Sequence, residues 1–91
     1  MLDIIQVEES GKHYAAKVSV TMLDKDTAQV RIKNVKEVTP ITAASYQVMR
    51  EIYSDEFGTP FSKVKFSSIF TQIMHKIAGK YHVRNINYAD K

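Results

Sequence analysis

Three histidines, His13, His75 and His82, are the side chains best suited to proton transfer or metal ligation near neutral pH. Their spacing does not support either task. The seven-residue gap between His75 and His82 is not a metal-ligand spacing that one helical face offers, and no His-Glu-x-x-His pattern occurs. Carboxylates come as Glu8-Glu9, Asp24 with Asp26, and Asp55-Glu56. The two aspartates of the 24–26 turn hint at a cation, but a calcium loop needs more acids and a closing glutamate. Ser67 and Ser68 stand two helical turns before His75, which is no nucleophile elbow. Only three glycines occur, at positions 11, 58 and 79, so no glycine-rich phosphate loop exists. There is no cysteine, which removes thiolate nucleophiles, disulfides and cysteine-held zinc. The residues therefore predict a non-catalytic protein with no metal and no cofactor.

Charge is more informative. Thirteen Lys and Arg against ten Asp and Glu give a net charge of +3. Residues 1–60 carry −2, whereas residues 61–91 carry +5 through Lys63, Lys65, Lys76, Lys80, Arg84 and Lys91 against Asp90 alone. A modest total thus hides a local basic surface. Lys63 and Lys65 fall in the expected first turn of a helix, where the dipole disfavours cations. Glu51, Asp55 and Glu56 crowd the end of the preceding one, so the Gly58–Pro60 turn is expected to bring these opposite charges together as surface pairs. Lys76, Lys80 and Arg84 have no such neighbours.

The elements that position these groups follow from periodicity. Ile5 and Val7 alternate with Gln6 and Glu8 up to Ser10-Gly11, a turn with a glycine available for positive φ. Tyr14, Ala16, Val18, Val20 and Met22 alternate with Lys17, Ser19 and Thr21. After the polar 24–27 turn, Ala28, Val30 and Ile32 interleave with Gln29, Arg31 and Lys33. Three such runs with short connections predict an antiparallel meander with one buried and one wetter face. Thr39-Pro40 reads as a helix start, with Ile41, Ala44, Val48 and Ile52 at helical spacing and Gly58 as a stop. A second helix is expected from near Ser62, with an apolar stripe of Phe66, Ile69, Phe70, Ile73, Met74, Ile77 and Tyr81 and an end at Gly79. A short fourth strand is an option within 82–88.

The expected fold is α+β: a three-stranded antiparallel sheet covered by two C-terminal helices, as a single domain over 1–91. No run of 18 apolar residues suits a bilayer, and the N-terminus lacks a secretory pattern, so a soluble cytoplasmic protein is expected. The function expected is nucleic-acid binding. Lys76, Lys80 and Arg84 would meet phosphates together with Lys63 and Lys65, and Lys17, Arg31 and Lys33 on the wetter sheet face form a second patch. The alternative is a protein-interaction module, a small regulator or inhibitor that docks on another protein and whose strand edge a partner extends. A homodimer through such an edge is compatible with either.

Overall fold

The computed structural model describes residues 1–38 and 58–89. Strands β1 (Leu2–Glu9), β2 (Lys12–Met22) and β3 (Thr27–Val38) form the expected antiparallel meander. β1 and β2 join through a two-residue turn in which both Ser10 (φ 52) and Gly11 (φ 78) are left-handed. Two successive positive φ angles give the mirror-image turn whose twist matches that of the strands. At the other end, the Asp24 carboxylate accepts the Asp26 N–H at 2.8 Å and the Thr27 carbonyl accepts the Leu23 N–H at 2.9 Å. Asp24 thus braces its own loop.

β3 is longer than the alternation suggests because it contains a bulge. Val18 faces Ile32, yet Lys17 faces Asn34, so Lys33 is the extra residue. The slip returns Val35 to the buried face, which regular alternation after Ile32 would have given to Asn34. Beyond the bulge, β4 (Thr59–Pro60) pairs with Asn34 and Val35. The expected break at Thr59-Pro60 is thus a brief edge strand, a place where proline's missing N–H costs no ladder bond. Gly58 precedes it at φ +61, where a Cβ would lie 2.5 Å from the Val35 carbonyl oxygen.

The helix α1 (Ser67–Tyr81) buries Ile69, Ile73 and Ile77 against Ile5, Val7, Val18, Val20, Val30 and Ile32. It differs from expectation at both ends. Phe66 sits at φ −115, ψ 35, outside helical geometry, and residues 63–66 form a turn in which the Phe66 N–H reaches the Ser62 carbonyl at 2.9 Å. Lys63 and Lys65 therefore precede the helix rather than standing in its first turn. At the far end the helix runs through Gly79, and His82 adopts the left-handed cap (φ 55), with the Val83 N–H closing onto the Ala78 carbonyl.

β5 (Asn85–Tyr88) is the optional fourth strand, and it runs parallel to β3 beside Thr27–Val30. A parallel neighbour needs a crossover, and α1 lies within it. The described residues hold one helix, so the expected pair is not borne out. The first of that pair, over 40–57, lies outside the described residues, as does the expected pairing of Glu51, Asp55 and Glu56.

Candidate functional site: the sheet's polar end and the basic side chains

On the face turned away from α1, register places Ser19 beside Arg31 and Thr21 beside Gln29. With Lys33 and Ala89 they line a shallow depression of about 260 Å³. Alternation alone puts Ser19, Thr21, Gln29, Arg31 and Lys33 there, and the bulge shifts register only from Asn34 onward. Among the described residues no acidic side chain lines this depression, and neither Arg31 nor Lys33 makes an ion pair. Ser, Thr, Gln, Arg and Lys on one exposed surface offer donors for phosphate oxygens and base edges.

Lys17 does not belong to it. It lies on the same face but mid-strand, between Ile4 and Asn34 in register, and is only 5% exposed. Alternation correctly gives its face; it does not give its burial. The wetter face expected along the whole sheet is wet chiefly at one end, since Ala15 is buried too.

The basic groups of the C-terminal third separate to the two flanks of α1. On the β1 flank, the Lys80 ammonium is 2.7 Å from the Asp3 carboxylate, and Lys76 donates to the Gln6 carbonyl. Tyr81 donates to the same Asp3 carboxylate at 2.7 Å, and Gln72 donates to Glu9 at 2.6 Å. Lys80 has no acid near it in sequence, and its counter-charge comes from a residue 77 positions earlier in the chain. Burial would raise the Asp3 carboxyl, but hydrogen bonds from Lys80, Tyr81 and the Ile4 N–H outweigh it and hold the group below its ordinary value. Burial, then the bond to Asp3 and its negative charge, push the Tyr81 hydroxyl up to about 12.

On the opposite flank, Phe61, Phe66, Phe70 and Tyr88 make a half-buried aromatic cluster with centroids 5.0–6.1 Å apart. The Lys63 ammonium lies 5.0 Å from the Phe70 centroid and 5.8 Å from that of Tyr88, and Lys65 lies 5.4 Å from Phe66. These are cation–π distances. Arg84 borders a groove beside Phe70 and Ile86. The sequence shows these residues individually, but only the fold joins Lys63 to Tyr88.

The histidines are dispersed. His13 lies 3.7 Å from Glu8, His75 borders the groove, and His82 caps α1. Among the described residues no group of three or more His, Asp or Glu is placed to hold a metal, and no helix is long and apolar enough to cross a membrane. Comparison of the chain with protein-family models, with curated proteins and with solved structures finds no match to any of them.

Proposed function

We propose that this chain is a small, non-catalytic nucleic-acid-binding module that meets its ligand at the polar end of the open sheet face. The observation that carries this reading is the depression lined by Ser19, Thr21, Gln29, Arg31 and Lys33, with two cations and, among the described residues, no acid. Arg31 and Lys33 neutralise phosphates, while Gln29, Thr21 and Ser19 supply hydrogen bonds to sugar, phosphate or base edges. Lys63, Lys65 and Arg84 add positive potential from the β5 side. Lys76 and Lys80 contribute less, because binding a phosphate would compete with Gln6 and Asp3. Fluorescence anisotropy with labelled duplex DNA, single-stranded DNA and RNA tests this. Arg31→Glu and Lys33→Glu weaken binding if it holds, whereas equal binding by both variants overturns it.

A further inference from the structure

Among the described residues, the side-chain bonds that anchor α1 are one-sided. Gln72, Lys76, Lys80 and Tyr81 all reach β1, so the helix is pinned over that edge of the sheet. Its other flank, carrying Phe70, Met74 and Ala78, is left half-buried beside β5 and encloses a groove of about 310 Å³ with Ile86. Thr71, His75 and Arg84 also line it, and among the described residues no acid does. Lys63 stands over Phe70 at one end.

The adjoining strand edge has no pairing strand among the described residues. Asn85 and Ala89 donate their N–H groups to the Asp26 and Val30 carbonyls at 3.0 and 2.8 Å, so these odd-numbered residues face β3. Alternation turns both the N–H and the C=O of Ile86 to the other side, where among the described residues no strand pairs with β5. Its side chain, opposite Ala28 in register, points to the α1 face and into the groove.

We propose that this groove binds an extended, acidic segment of a partner protein, which adds to β5 as a further strand. Main-chain bonds to Ile86 set its position, and alternate apolar side chains fill the space over Met74 and Ala78. Acidic side chains on that same face, flanking the apolar ones, meet Arg84 and Lys63, which is the charge complementarity that selects this occupant. The site is separate from the sheet-face depression, so either can fail without the other.

The test selects binders from a randomised ten-residue peptide library displayed on phage, using the full chain as bait, and then maps a selected peptide by amide hydrogen exchange. The expected result is enrichment of apolar residues at alternate positions flanked by acidic ones, and slowed exchange at the Ile86 amide. Arg84→Glu then weakens the peptide about tenfold or more, while Arg84→Gln, which removes the charge without reversing it and reports on folding, weakens it less. Four results overturn the proposal: no enriched peptide, enrichment of basic peptides, an unprotected Ile86 amide, or an oligonucleotide that protects Ile86 where the peptide does not.

Discussion

Tyr81, the last residue of α1, donates a 2.7 Å hydrogen bond to Asp3, the second residue of β1. The same carboxylate holds Lys80 at 2.7 Å. One acid near the start of the chain therefore fixes the end of the helix to the first strand. It also decides which flank of α1 is closed and which is open.

This contact predicts a specific pH dependence. The folded Asp3 carboxyl lies below its ordinary value of 3.8, so its contribution is present above that value and fades as pH falls through the lower folded one. The Tyr81 hydroxyl is raised from 10.0 to about 12, so its contribution is complete below pH 10 and fades as pH rises towards 12. Tyr81→Phe should cost about 0.5–1.5 kcal/mol at neutral pH and flatten the alkaline loss. Urea unfolding of both proteins between pH 7 and 12 measures this.

Gly58 and Gly79 should respond oppositely to alanine. At Gly58 the φ of +61 is unfavourable for a side chain, and the new Cβ meets the Val35 backbone; Gly58→Ala is expected to cost about 1–3 kcal/mol. Gly79 lies inside α1 with nothing near its Cβ position, and Gly79→Ala is expected to add about 0.5–1 kcal/mol. Thermal melts of the two variants decide it.

The same pair shows how far the sequence could be read. Gly58 marked a real turn, but Gly79 looked like a helix stop and is not one, because His82 accepts the left-handed cap. The three strands were legible because Ile5, Val7, Ala16, Val18, Val30 and Ile32 alternate cleanly. Alternation lapses at Lys33-Asn34, where only pairing with β2 reveals a bulge. The helix stripe was visible from Ile69 to Ile77, yet its start was misplaced: periodicity registers Phe66 as helical, while the chain bends there. Arg31 and Lys33 were correctly placed together by strand period. Lys17 was not, since its burial depends on strands that flank it from distant sequence. Lys80 could not be paired with Asp3 by any local rule.

Ile73, fully buried where α1 meets the sheet, carries the packing of the two layers. Ile73→Ala should destabilise the fold by about 2–5 kcal/mol, whereas Val64→Ala, at an almost fully exposed position, should stay within about 0.5 kcal/mol of wild type. Chemical denaturation with matched slopes checks both.

Phosphate neutralisation by Arg31 and Lys33 predicts a salt dependence that their removal lowers. Each phosphate contact on duplex DNA contributes a slope of about −0.9 in log K against log salt. The decisive measurement is anisotropy of labelled duplex DNA, single-stranded DNA and RNA across a salt series, comparing wild type with the Arg31→Glu/Lys33→Glu double variant. The account predicts wild-type binding at low salt, and a slope for the variant shallower by about two contacts, roughly 1.8. Absence of wild-type binding to all three at low salt, or an unchanged slope in a folded double variant, would contradict it.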